Sequence, residues 1–410
     1  MLCLKWFNTL LIGKTEKFTF DEEPEGPIMD MPDLVMRKIM ENVDFITILK
    51  LRKVCHAFRN FIDVIKLDNE LIKVKIDVTP SAIYATIDFA SASREYVYLD
   101  YIRYGNNCLL KVQEGRIEEA KLIKNHDFVD AFFNDFGFIM RNQSKLLKNM
   151  NINEWEYDWY TPNHYDRDLL NSVETSYSIF GCCTCTRPSK GFIETETLLH
   201  KKNKKNTLQP TADKFHDRFD FILKSRESRI LIQNLKIRVL QKSHFLNMTR
   251  LIDMKQLRGI VISKTCEDSD EEDKKQLILN EIVELDVFDC IQVLSIRNFK
   301  VTVPLETFLH IPDLTVSVST ITIEDILLIK KNMLTSPTVK SRRVYYDQIK
   351  DADTLYSTLG HANQDYGIVS WYFKLPGLDQ ILQISWIWQL TCFSFTWTKT
   401  SCIYNNAVVY

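Results

Sequence analysis

The feature that most constrains the fold lies between Met31 and Asp63, where three short apolar stripes follow one another with almost no spacer. Pro32 suits the first turn of a helix, where its missing N–H has no partner to lose. Val35, Met36, Ile39, Met40 and Val43 then recur at three- and four-residue spacing, with Arg37, Lys38, Glu41 and Asn42 on the other face. Asp44 interrupts this pattern. Ile46, Ile48, Leu49 and Leu51 predict a second short helix, which Thr47 helps to start. Val54, Cys55, Phe58, Phe61, Ile62 and Ile65 form a third stripe, beside Arg52, Lys53, Arg59 and Asn60. Helices this short cannot bury their apolar faces alone. The surplus points to partner binding, or to ordinary core helices of an α-rich domain.

The same residues carry a resemblance. Met31-Pro32 stands where the F-box pattern has Leu-Pro, and Val35, Ile39, Val43 and Ile48 fill its aliphatic positions without a gap. Val54, Cys55 and Phe58 fill the closing Val-Cys-x-x-Trp cluster. Leu34 and Phe45 depart from it, where an acidic residue and a proline are common. The stretch therefore resembles the F-box, a three-helix module that docks a Skp-type adaptor and so joins a cullin-RING ubiquitin ligase. The resemblance implies an adaptor-binding face of Met31, Pro32, Val35, Ile39, Val43, Ile48, Leu49, Val54, Cys55 and Phe58.

Bulk properties narrow the rest. At 410 residues the chain has room for two or three domains. Lys and Arg number 52 against 54 Asp and Glu, so no global field favours nucleic acid. Only 11 glycines occur, and Gly13-Lys14-Thr15 lacks the earlier glycine of a phosphate loop, since Asn8 stands there. Met1 to Ile12 is too short and irregular for a secretory signal, and no run reaches membrane-spanning length. A cytoplasmic or nuclear protein with free thiols is expected.

Along the chain, residues 1–27 read as a flexible leader ending in an acidic, proline-containing linker, and residues 28–70 as the F-box-like module. Residues 71–152 read as mixed β/α. Leu71 to Val78 alternates as a strand, and Gly105-Asn106-Asn107 separates Tyr96–Arg103 from Cys108–Val112 as a hairpin. A helix is predicted from Phe128 to about Lys148. Residues 153–210 lack periodicity and read as an insertion or long loop.

Residues 211–384 predict a helix over Asp213–Ser225, then strands at 235–239, 260–262, 294–296, 314–318 and near 344–346. Helices at 245–254, 275–288 and 323–334 lie between them. Repeated strand–helix units predict a leucine-rich-repeat-like solenoid with a parallel sheet, or else an ordinary α/β domain. The words FDFILKSRESRILIQNLKIRVL, NEIVELDVFDCIQVLSI and LETFLHIPDLTVSVSTITIEDILLIKKNMLTS resemble the FTH domain. An F-box followed by this domain is similar to the nematode F-box A family, in which the FTH region is taken to hold substrate. Residues 385–410 stand apart as an atypical apolar tail: either a closing core strand or, the preferred reading, a segment from an alternative or mispredicted exon.

Several other constellations lack the spacing of a site. Cys182, Cys183, Cys185 and His200 do not match zinc spacing. His200 to Lys205 reads as a solvated basic loop, and the acidic run Glu267–Asp273 as a solvated acidic one. Glu281, Glu284 and Asp286 read as the outer face of a helix. The 8 histidines are scattered, and no serine, cysteine or aspartate sits in a nucleophile setting. The expectation is an α+β chain: a small three-helix F-box, a mixed β-hairpin region and an irregular leucine-rich-repeat-like α/β domain. It would be a non-catalytic substrate-recognition subunit of an SCF-type ligase. Its partners would be a Skp-type adaptor, through it the cullin-RING ligase, and an unknown protein substrate, with no cofactor, metal, nucleic acid or membrane. The alternative is an interaction adaptor that works outside ubiquitin transfer.

Overall fold

A computed structural model describes residues 31–43, 47–48, 51–52, 54–65, 71–89, 96–114, 117–156, 158, 208–265, 278–286, 288–336, 338–365, 367–374, 379–403 and 408–410. The chain is α+β and divides into two compact units, Met1–Leu67 and Asp68–Tyr410.

In the first unit, helices α1 (Asp33–Glu41) and α2 (His56–Ile65) form where the apolar spacing predicts them. Met36 and Met40, one turn apart, share a buried face of α1, and Phe58 and Ile62 do the same on α2. Pro32 takes the N-cap position just outside α1. Of the predicted second helix, Thr47, Ile48 and Leu51 are helical, while Ile46, Leu49 and Lys50 lie outside the described residues. Arg52 makes a two-pronged bond to Asp63 on α2, at 2.7 and 3.2 Å.

The second unit is organised by one 16-stranded sheet. Its centre is parallel: β1 (Leu71–Val78), β6 (Leu147–Glu154), β7 (Ile230–Val239), β9 (Gly259–Lys264), β10 (Val293–Arg297), β11 (Asp313–Ile321) and β12 (Ser341–Ile349) lie side by side in chain order. An antiparallel meander extends β1: β2 (Ala82–Phe89), β3 (Val97–Tyr104), β4 (Asn107–Glu114) and β5 (Ile117–Ile123). The β3–β4 turn is the predicted one, and Gly105 there has φ 56°, the left-handed region glycine enters without steric cost. The other flank carries β13 (Asn363–Asp365), β14 (Ile368–Lys374), β15 (Gln380–Ile387) and β16 (Cys392–Lys399), the last antiparallel to β12. A two-residue β8 (Ile252–Asp253) pairs with the start of β7.

Period-two alternation sends one set of side chains to the core. Ile260, Ile262, Leu294, Ile296, Leu314, Val316, Val344, Phe393 and Phe395 are all buried. On that side pack α3 (Phe128–Asn142) and α4 (Leu208–Lys224), through rings of Phe132, Phe133, Phe136, Phe215 and Phe219 at centroid distances of 4.8 to 6.3 Å. Helices α5 (Lys242–Thr249), α6 (Ile323–Thr335) and α7 (Leu355–Leu359) complete the set. The alternate sheet positions include Ser263, Ser295, Arg297, Thr315, Ser317, Arg343 and Ser394, a mostly polar face that also carries Val261, Val293 and Tyr345.

Several predicted bounds and elements differ. The helix from Phe128 stops at Asn142, because Arg226 donates to the carbonyls of Met140 and Gln143 and so satisfies its last turn from outside. The predicted insertion therefore starts after β6, whose residues reach Glu154. Helix α5 ends at Thr249, four residues after which Asp253 caps a 3₁₀ turn. The predicted helix over 275–288 is instead two 3₁₀ segments, Asn280–Glu284 and Phe288–Cys290. The tail set apart from residue 385 belongs to the sheet, as the end of β15 and all of β16. Two of its three tryptophans have structural partners: Trp386 stacks on Phe393 at 5.9 Å, and Trp397 donates to the Val339 carbonyl, while Trp388 is exposed.

Candidate functional site

Two features of the described residues differ from ordinary core or surface. The first is in the helical unit. The residues expected to face an adaptor separate by exposure. Val35 is 44% and Val54 58% exposed, and Pro32 and Cys55 are also exposed. Leu34 and Val64, which sequence reasoning left out of that face, are more open still, at 72% and 75%. Ile48 and Phe58 are buried, Met31, Ile39 and Val43 are half-buried, and Leu49 lies outside the described residues. Ile48 and Phe58 thus sit where they stabilise the unit, and the open apolar positions are Leu34, Val35, Val54 and Val64. Isolated exposed apolar residues are common on proteins, but four on two short helices and their approach are a candidate contact surface.

The second feature was invisible in the sequence. Glu154 ends β6 with its carboxylate fully buried. Its Oε1 meets His216 Nε2 of α4 at 2.6 Å and His244 Nδ1 of α5 at 3.0 Å. Its Oε2 accepts the Leu240 backbone N–H at 2.7 Å. His244 Nε2 in turn lies 3.1 Å from Asp213 Oδ1. The two imidazoles stack, with centroids 4.1 Å apart. Burial alone would push the Glu154 carboxyl up, but the hydrogen bonds from both histidines outweigh it and hold it at about 2. Burial lowers His216. For His244 burial acts the same way, yet the carboxylates of Glu154 and Asp213 outweigh it and the pKa is raised. At neutral pH this is a buried carboxylate with a histidine clamped between two negative groups.

The cluster opens on a cavity of about 530 Å³ lined by Asp213, His216, Asp217, His244, Asn247 and Arg250, among others. Glu154 Oε1, His216 Nε2 and His244 Nδ1 all lie within 4.8 Å of one another, so they are the described residues placed to hold a metal ion. No local spacing signals this site, because Glu154 stands 62 residues from His216 and 90 from His244. Glu281 pairs with Lys242 at 2.7 Å. Cys182, Cys183, Cys185, His200 to Lys205 and Glu267–Asp273 lie outside the described residues. Among the described residues no helix is long and apolar enough to cross a membrane.

Comparison with known families finds two matches. Residues 28–69 match the F-box domain and residues 213–360 the FTH domain. The chain thus carries an F-box, a domain found in proteins that are typically non-catalytic adaptors. More particularly, it has the architecture of an N-terminal F-box followed by a C-terminal FTH domain, the pairing its sequence words resemble. Neither a curated protein nor a solved structure matches the chain.

Proposed function

We propose that the protein is the substrate-recognition subunit of an SCF-type cullin-RING ubiquitin ligase, acting in the cytoplasm or nucleus. The observation that carries this reading is the F-box match over residues 28–69, in a unit whose apolar Leu34, Val35, Val54 and Val64 are exposed. Those side chains, with Pro32 and Cys55, bury against a Skp-type adaptor, where apolar anchors supply most of the affinity. Ile48 and Phe58 support the same surface from beneath.

The Asp68–Tyr410 unit holds the protein substrate. Its parallel strands follow in chain order, which supports the leucine-rich-repeat-like reading. Parallel sheets are usually covered by apolar contacts on both faces. Here one face instead presents Arg297 and Arg343 among serines and threonines, chemistry suited to hydrogen bonding with a polypeptide segment. The ligase reading assigns no bond-making step to this chain. Rate comes from holding the substrate beside the charged conjugating enzyme.

Reconstitution tests the proposal. The full chain should co-migrate with a cullin-RING assembly only when a Skp-type adaptor is present, and the Val35→Asp, Val54→Asp variant should not. Adaptor binding without cullin recruitment would instead favour an interaction protein outside ubiquitin transfer.

A further inference from the structure

We propose that Glu154, His216 and His244 form a binding site for a divalent transition-metal ion, zinc above others, with one coordination position open to the adjoining cavity. Two imidazole nitrogens and one carboxylate oxygen are a donor set zinc accepts, and one that leaves room for a water or an incoming ligand. Magnesium and calcium prefer all-oxygen shells and are disfavoured here.

The geometry carries the assignment. Oε1 of Glu154 lies 2.6 Å from His216 Nε2 and 3.0 Å from His244 Nδ1. Tetrahedral ligands at ordinary zinc distances of about 2.0–2.1 Å stand roughly 3.3 Å apart. Both carboxylate–histidine distances lie within about 0.7 Å of that spacing, and the three ligand atoms lie within 4.8 Å of one another. A supporting shell is already in place. Asp213 Oδ1 faces His244 Nε2 at 3.1 Å, the carboxylate–histidine pairing that fixes which ring nitrogen is free to bind a metal. The Leu240 N–H holds Oε2 at 2.7 Å, leaving Oε1 directed at the histidines.

The same pairing creates a demand for positive charge. With a proton on Nε2 facing Asp213, a neutral His244 points its Nδ1 lone pair at Glu154 Oε1, two acceptors face to face. A proton on Nδ1, or a metal ion in its place, satisfies that contact. Placement agrees: Glu154 closes the carboxyl end of β6, and His244 follows the carboxyl end of β7. Ligand sites in α/β sheets gather at the carboxyl ends of parallel strands. Asp213, Asp217 and Asp220 line the cavity and favour entry of a cation, against Lys224 and Arg250 on its wall.

The test uses the full chain freed of metal and titrated with Co²⁺, then with Zn²⁺ in competition. A cobalt site of this kind gives visible ligand-field bands without the near-ultraviolet thiolate charge-transfer band that the chain's cysteines would produce. We expect those bands at one ion per chain, displaced by Zn²⁺. His244→Ala should abolish them. Asp213→Asn, at a half-exposed side chain, should leave the fold intact by circular dichroism and weaken binding about 10–100-fold, as loss of an outer-shell carboxylate does. A folded wild-type chain that gives no such bands, or only thiolate-type ones, overturns the proposal. So does a folded His244→Ala chain that binds as the wild type does. The cluster would then be bridged by a proton.

Discussion

Arg342 is a fully buried guanidinium on β12 that bonds no carboxylate among the described residues. It donates to the carbonyls of Leu309, Pro312 and Ser341 and to the Asn332 side chain. Burial lowers its pKa to about 10, partly opposed by Asp313, so it remains charged at pH 7. Arg342→Ala should leave those acceptors without donors and cost about 3–5 kcal/mol, read by urea unfolding. A loss below about 1 kcal/mol would mean that water replaces the guanidinium. Asp130 sits nearer the surface, bonded to Lys214 at 2.8 Å and Arg218 at 2.6 Å. Burial would raise its carboxyl, but those two cations outweigh it and the pKa is lowered. A depressed folded-state carboxyl stabilises the fold above its unfolded pKa, and that contribution disappears as pH falls through the folded value. Asp130→Asn should therefore cost up to about 1 kcal/mol at pH 7, after allowance for solvent screening, and nothing once the wild-type carboxyl is protonated. Unfolding curves at the two pH values decide it.

At the scale of elements, β15 and β16 make a firm prediction. Trp371, Phe393 and Phe395 are fully buried, and β16 covers the edge of β12. Phe393→Ala should cost about 3–5 kcal/mol in thermal or denaturant unfolding. Deleting residues 392–410 should bare the β12 edge and yield aggregates in light scattering. A monomeric, cooperatively folding deletion would show the strand to be dispensable. Elements whose signals are local were legible in the sequence. The turn-by-turn apolar spacing of α1 and α2, the alternation of β1 and the hairpin at Gly105 all appear where expected. The predicted helix over 275–288 fails because its contacts are distant. Asn280 exchanges hydrogen bonds with Thr302, and Ile278 bridges Lys300, so the segment is pulled into 3₁₀ turns. The tail follows the same logic: its low charge looks foreign until β12 and β14 are there to flank it, and the closing-strand reading is the one its structure matches. The Glu154 cluster is the extreme case, since its members come from β6, α4 and α5 and no window contains two of them.

For the whole molecule, the division into a small helical unit and a large sheet unit fits a receptor with one partner for each. The two candidate features then have independent consequences. Loss of the Glu154 cluster should leave adaptor binding unchanged, and loss of exposed apolar residues on the helices should leave metal binding unchanged. The most direct test of the account is the affinity of the full chain for a purified Skp-type adaptor, measured by calorimetry beside Val54→Asp. Val54 is exposed, so the change should not unfold the unit. The account predicts sub-micromolar binding by the wild type and a loss of at least about tenfold, or 1.4 kcal/mol, in the variant. A folded wild-type chain that does not bind the adaptor, or a variant that binds it equally well, would contradict it.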